Sequence, residues 1–383
     1  MLYLDNAATT PVRPEVLEAM APYLGHLFGN PSSHHTVGEQ ASRALEDARR
    51  RIARILGMRP GDVVFTSGGT EANNLAVKGI VLAAQNPADP GDAAAGRRHL
   101  ITTPIEHESI LASAAFLRRV HGVEVTHIPV DAYGRISPDA VADALRDDTA
   151  LVSLGHANNE IGTVQDVPSI AAVAAERGVP LHLDAVQSAG WLELAGLGAD
   201  AISLAGHKLG APKGTGVLAL RGRVPLEPLL HGGGQERGRR SGTENLAGAV
   251  GLAVALELAE SEREEASARL TPIRDRFIAS VLQAVPSARL TGHPTERLPG
   301  TASFTFEGTS GEAVLLELER RGVVSSSGSA CAAGSDEPSH VLLACGIAPE
   351  VAQTSVRFTF GKGPLPAPED LAAQVAAAVA AVG

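Results

Sequence analysis

Between residues 36 and 220 the chain repeats one arrangement: a short apolar run, a polar or glycine-containing turn, then a stretch with helical spacing. The apolar runs lie at 63–66, 99–103, 123–130, 150–156, 179–183, 201–205 and 216–220. Residues 36–57 set Val37, Ala41, Ala44, Leu45, Ala48, Ile52, Ile55 and Leu56 at three-and-four spacing, which predicts an amphipathic helix ended by Gly57. Further helices are expected from 69 to about 85 and over 168–177. Strands alternating with helices bury both faces of a sheet, so an α/β domain with a mostly parallel sheet is expected. Residues 85–98 read as a solvated loop.

The pattern changes near residue 255. A charged helix is expected over 251–285, followed by short alternating strands at 301–307 and 355–360 and helices at 311–321 and 369–381. The expected division is a large domain over 15–255 and a smaller α+β domain formed by 1–14 and 256–383.

Composition narrows the function classes. The chain has 383 residues, 44% hydrophobic and 20% charged, which is enough to build a substantial core and excludes wholesale disorder. A net charge of −11 argues against a nucleic-acid binder with a broad basic face. Of 32 basic residues only Lys78, Lys208, Lys213 and Lys362 carry a primary amine. Cys331 and Cys345 form no disulfide framework, so a reducing, cytoplasmic setting is the expectation. No run of about 18 apolar residues suits a membrane span, and the N-terminus does not read as a signal peptide.

Several common motifs are missing from the sequence: G-x-G-x-x-G, G-x-x-x-x-G-K-[ST], G-x-S-x-G, H-E-x-x-H and any metal-ligand cluster. What remains is informative, because ligands of an open α/β sheet bind at the carboxyl ends of its strands. After 63–66 come Gly68, Gly69 and Thr70 at a helix start suited to a phosphate. After 99–103 comes His107, after 150–156 Asn159, after 179–183 Asp184 and Gln187, and after 201–205 His207 and Lys208. Singly, each has an ordinary alternative as a cap, a turn residue or a solvated side chain. Together they suit pyridoxal 5′-phosphate, which needs a lysine amine, a carboxylate beside its pyridine nitrogen and a phosphate cup. Lys208 is the first choice for the lysine and Lys213 the runner-up.

A second group lies in the smaller domain. Residues 325–335 are almost all small and carry Cys331, a pattern that leaves this nucleophile accessible, whereas Cys345 sits among core-like neighbours. Arg357, in an alternating strand, suits either a bidentate grip on a substrate carboxylate or a structural ion pair.

The chain resembles the cysteine desulfurases of the class V, fold-type I pyridoxal-phosphate enzymes. The segments that carry the resemblance are YLDNAATTP (3–11), FGNPSS (28–33), VVFTSGGTEANN (63–74), EHES (106–109), NNEIGTVQ (158–165), HLDAVQSAG (182–190), AGHKLGAPKGTG (205–216), HGGGQERGRRSGTEN (231–245), SSGSACAAGS (326–335) and SVRFTFGK (355–362). The loop around Cys331 resembles the longer-loop group that serves iron–sulfur cluster assembly.

The resemblance implies a role for each position. Lys208 holds the cofactor covalently, Asp184 pairs with its ring nitrogen, Gln187 bonds its ring oxygen, His107 stacks on the ring and shuttles protons as a catalytic residue, and Asn159 also contacts the cofactor. Gly69, Thr70 and His207 hold the phosphate, joined by Thr243 from a partner subunit in a homodimer. Asn159 and Arg357 bind the carboxylate of L-cysteine, and Cys331 accepts its sulfur for delivery to an acceptor protein such as an iron–sulfur scaffold. Ala205 departs from the family's usual serine, so one phosphate donor is missing. The alternatives weighed are a selenocysteine lyase, a class V aminotransferase and a non-enzymatic sulfur carrier or scaffold. No metal, membrane or direct nucleic-acid partner is expected.

Overall fold

The structure, a computed structural model, describes residues 1–85, 96–328 and 337–383. Part of the expected 85–98 loop and the Cys331 end of the 325–335 stretch lie outside the described residues.

In chain order the first elements are β1 (Leu2–Tyr3), α1 (Pro14–Leu24), α2 (Thr36–Ile55), β2 (Val63–Thr66), α3 (Gly69–Gln85), β3 (His99–Thr102), α4 (Glu108–His121), β4 (Glu124–His127) and α5 (Pro138–Ala144). They continue with β5 (Thr149–Gly155), α6 (Val167–Glu176), β6 (Leu181–Asp184), β7 (Ala201–Ala205), β8 (Gly216–Leu220), α7 (Leu246–Ser261) and α8 (Arg263–Ala284). The last are β9 (Ala288–Leu290), β10 (Thr301–Phe306), α9 (Gly311–Arg320), β11 (Val323–Val324), α10 (His340–Ala344), α11 (Pro349–Ala352), β12 (Ser355–Thr359) and α12 (Pro368–Val382).

The expected α/β class holds. Seven strands form one sheet in the order β2-β8-β7-β6-β5-β3-β4, and only β8 runs against its neighbours. Successive residues of a strand point to opposite faces. Val63, Phe65, Ile202, Leu204, Val217 and Ala219 therefore join one core with α1, α2, α6 and α7. Val64, Leu218 and Leu220 join a second core with α3 and α4. The sheet is thus buried on both faces, and its open ends are left for ligands.

A second sheet, β12-β10-β9, is antiparallel and covered by α8, α9 and α12. Phe277 of α8 meets Phe304, Phe358 and Phe360 edge-on at centroid distances of 5.9, 5.2 and 5.5 Å, the offset geometry that aromatic quadrupoles favour. Leu4 belongs to this cluster, and β1 pairs in parallel with β11.

The helix expected over 251–285 differs from what forms. Two helices meet at Glu262, whose carboxylate takes the Arg13 guanidinium at 2.6 and 2.9 Å and the Lys362 amine at 3.3 Å. The break lets one side chain tie together residues from both ends of the chain.

Candidate active site

The parallel strands deliver their polar residues to one cavity of about 710 Å³, lined by Gly69, Thr70, His107, Asn159, Asp184, Gln187, His207, Lys208, Lys213 and Arg357, among others. Thr243 is exposed and faces a separate small depression with Arg240 and Glu244. Cys331 lies outside the described residues; the residues on either side of that stretch, Gly328 and Glu337, adjoin the cavity, the first through Arg357 and the second in its wall.

Lys208 follows β7 in a short 3-10 turn. Gly206 is required there, because a Cβ would stand 2.1 Å from Thr215 Oγ1. The Lys208 amine donates to the carbonyls of Ala7 and, at 2.7 Å, Ala8. Gln187 donates to the same Ala7 carbonyl at 3.1 Å, and Thr9 Oγ1 lies 3.2 Å from His207 Nδ1. The N-terminal segment therefore forms one wall of the site. Of the other amines, Lys213 is exposed at the rim, Lys78 lies over the Phe116 ring, and Lys362 is bonded to Glu262.

Asp184 ends β6. Its Oδ1 accepts from the Val186 N–H at 2.9 Å and its Oδ2 from Asn73 Nδ2 at 2.7 Å. Each oxygen keeps a lone pair for a further donor. Beneath it, His182 bridges Ser153 and Ser203 at 2.8 and 2.9 Å across three strands, and burial pushes its pKa down to about 3. Burial, followed by Lys208 and Lys213, lowers His207 to about 4. Glu106 is raised to about 8, first by burial and then by the nearby Asp184 carboxylate. Glu160 is also raised by burial and accepts from Ser339.

Arg357 shows that the ion-pair alternative is present. Its Nη2 donates to Asp5 Oδ1 at 2.6 Å and its Nη1 to the Asn159 carbonyl at 2.7 Å, although the residue still lines the cavity. Nε has no partner among the described residues. Cys345 is buried against Ile105, Ile161 and Leu342, and burial pushes its thiol up to about 11, too high for a reactive thiolate.

The charge layout fits pyridoxal phosphate. Lys213, His207 and the first-turn N–H groups of α3, which have no intrahelical acceptor, line the cavity and would suit a phosphate. The Asp184 carboxylate, in the wall of the same cavity, would favour a protonated ring nitrogen, and Lys208 belongs to the same lining. These residues would hold the group.

Sequence reasoning gave no role to Asp5, Asn73, Ser109, Ser339 or His340. Asn73 and Ser109 stand inside the family-like segments 63–74 and 106–109, which was the available signal. Asp5 meets its partner across 352 positions, and no local pattern marks such a pair.

The fold and cavity define a pyridoxal-phosphate enzyme of the transferase type. The aminotransferase class-V family matches residues 2–362. A cysteine desulfurase IscS from Methanosarcina thermophila is 47% identical over 363 residues, covering 94% of this chain and 87% of that one. Among solved structures, a NifS-like protein superposes with a TM-score of 0.89 at 32% identity, covering 100% of both chains. SspA in complex with cysteine superposes with a TM-score of 0.80 at 36% identity, covering 95% of this chain and 100% of that chain. The chain belongs to the aminotransferase class-V family, in its cysteine desulfurase branch. Among the described residues no helix is long and apolar enough to cross a membrane.

Proposed function

We infer that this chain is a cysteine desulfurase: L-cysteine and the Cys331 thiol become L-alanine and a Cys331 persulfide. One observation carries the reading. Lys208, Asp184, His107, Asn159 and Arg357 surround a single cavity, and the described residues flanking 329–336 adjoin it. SspA, whose fold this chain shares, was solved in complex with cysteine, which supports the substrate.

When bound, pyridoxal phosphate supplies an electron sink for negative charge at the substrate Cα. Arg357 and Asn159 hold the substrate carboxylate, with Arg357 shared between it and Asp5. Lys208 Nζ takes the Cα proton and returns one. The Cys331 thiolate attacks the substrate sulfur; the S–S bond forms as the Cβ–S bond breaks, and the electron pair stays on Cβ. The proton given up by the Cys331 thiol balances the one that ends on the alanine methyl.

Residues 15–255 act as the cofactor unit, and 1–14 with 256–383 as the unit of Arg357 and Cys331. Thr243, exposed and outside its own cavity, serves the partner's phosphate in a homodimer. The persulfide passes to an acceptor protein such as an iron–sulfur scaffold, in a reducing cytoplasm.

Cys331→Ser is expected to keep the yellow bound cofactor and lose alanine formation; turnover of cysteine at the native rate overturns the persulfide role. Lys208→Ala is expected to abolish the borohydride-reducible lysine adduct. An adduct that persists on Lys213 moves the assignment there.

A further inference from the structure

Asn73 lies on α3, in the wall of the cavity, and is 2% exposed. Both of its amide N–H groups are used. One donates to Asp184 Oδ2 at 2.7 Å and the other to Ser109 Oγ at 2.9 Å. The amide orientation follows from chemistry, because the reverse flip would set Oδ1 against the Asp184 carboxylate.

Ser109 continues the chain. Its N–H donates to His107 Nδ1 at 3.1 Å, so that ring nitrogen is an acceptor. Ser109 Oγ, 2.8 Å from the same nitrogen, can then only donate to it, which leaves the Oγ lone pairs for Asn73. Every donor points one way, from Asn73 through Ser109 to His107. The neutral imidazole is held as the Nε2–H tautomer.

We propose that Asn73 is a positioning residue that fixes Asp184 and the His107 ring as one unit, acting on His107 through Ser109. The proposal rests on the desulfurase reading and adds a residue to that site. Asp184 and His107 come from different strand ends, β6 and the turn after β3, and Asn73 with Ser109 bridges them. One buried amide sets the spacing between the group that holds the cofactor ring nitrogen and the group that stacks on the ring. Asn73 Oδ1 has no partner among the described residues although it is buried, so this amide is not there to satisfy the fold alone.

The test uses the holoenzyme and four variants: Asn73→Ala, Ser109→Ala, the double variant, and Ser109→Thr, which keeps the hydroxyl. The readouts are kcat and KM for L-cysteine, together with the visible circular dichroism of the bound cofactor. Outer partners of active-site groups are worth roughly 10–100-fold. Asn73→Ala and Ser109→Ala are each expected to lower kcat by about tenfold or more, with KM within about threefold. The cofactor's dichroic band should fall at least twofold in Asn73→Ala. The double variant should be no worse than the poorer single variant, because the two residues act in series. Ser109→Thr should restore at least half of kcat.

Losses that multiply in the double variant, an unchanged dichroic band in Asn73→Ala, or a Ser109→Thr as poor as Ser109→Ala overturn the proposal. If Asn73→Ala does not fold, the Ser109→Ala and Ser109→Thr pair decides by the same criterion. A parent enzyme that forms no alanine from cysteine overturns the desulfurase reading instead, and the dichroic band, which needs only bound cofactor, still decides on Asn73.

Discussion

Arg357 Nη2 donates to Asp5 Oδ1 at 2.6 Å, so the guanidinium facing the cavity is paired before any substrate arrives. Arg357 is 1% exposed, and its planar guanidinium presents five N–H donors in a fixed fork, so it can serve Asp5 and a second carboxylate in one rigid geometry that a lysine ammonium does not supply. Arg357→Lys is expected to raise KM for L-cysteine roughly 10–100-fold, the loss of a charge-assisted hydrogen bond, with a smaller change in kcat. Steady-state kinetics check this; an unchanged KM removes Arg357 from carboxylate binding. Asp5→Ala leaves a buried guanidinium unpaired and should lower stability by about 3–5 kcal/mol in denaturant unfolding.

Ala205 stands beside the α3 N-terminus, and the space where a Gly69 Cβ would be is 3.2 Å from the Ala205 Cβ. Glycine at 69 relieves that contact, since a side chain there would crowd residue 205. Ala205→Ser is expected to add one phosphate donor and slow cofactor loss about fivefold, equivalent to about 1 kcal/mol. Dialysis with absorbance of the retained cofactor measures it; no change means that residue 205 does not reach the phosphate.

Glu106 is buried with its pKa raised to about 8, against 4.5 for a free glutamate. The folded state therefore holds a proton that the unfolded state has released across that window. Stability contributed by the protonated group is full below about pH 4.5 and is lost as pH rises toward 8, by at most about 1.4 kcal/mol per unit. Glu106→Gln, a neutral isostere, should flatten this fall. Thermal unfolding of cofactor-free protein between pH 5 and 8 distinguishes the two; parallel curves for parent and variant contradict the assignment.

Phe277 anchors the smaller core, 0% exposed and edge-on to three phenylalanines. Phe277→Ala should cost about 3–5 kcal/mol through lost contact and the cavity left behind. Chemical denaturation reads this directly. A loss below about 1 kcal/mol would mean that the surrounding side chains collapse into the space, which the edge-on packing argues against.

The seven-stranded sheet was legible because its signal is local. Apolar runs bounded by turn residues mark 63–66, 99–103 and 201–205, and the helix of 36–55 carries its apolar face at fixed spacing. β1, β9 and β11 were not legible: strands of two or three residues are too short for alternation to appear. Glu262 reads as one more charged position in a helix, whereas in the structure it stands at the break and pairs with Arg13 and Lys362.

The sequence by itself determined the fold class and the set of groups at the strand ends, because hydrophobic periodicity and turn chemistry are properties of neighbouring residues. The tertiary structure alone decided how those groups are held. Arg357 is paired by Asp5, Lys208 is held by the Ala7 and Ala8 carbonyls, and Asp184 is linked to His107 by Asn73 and Ser109. Apart from Ser109, two residues from His107, each partner lies on another element, and a buried polar atom takes whichever complementary group chain closure brings to it.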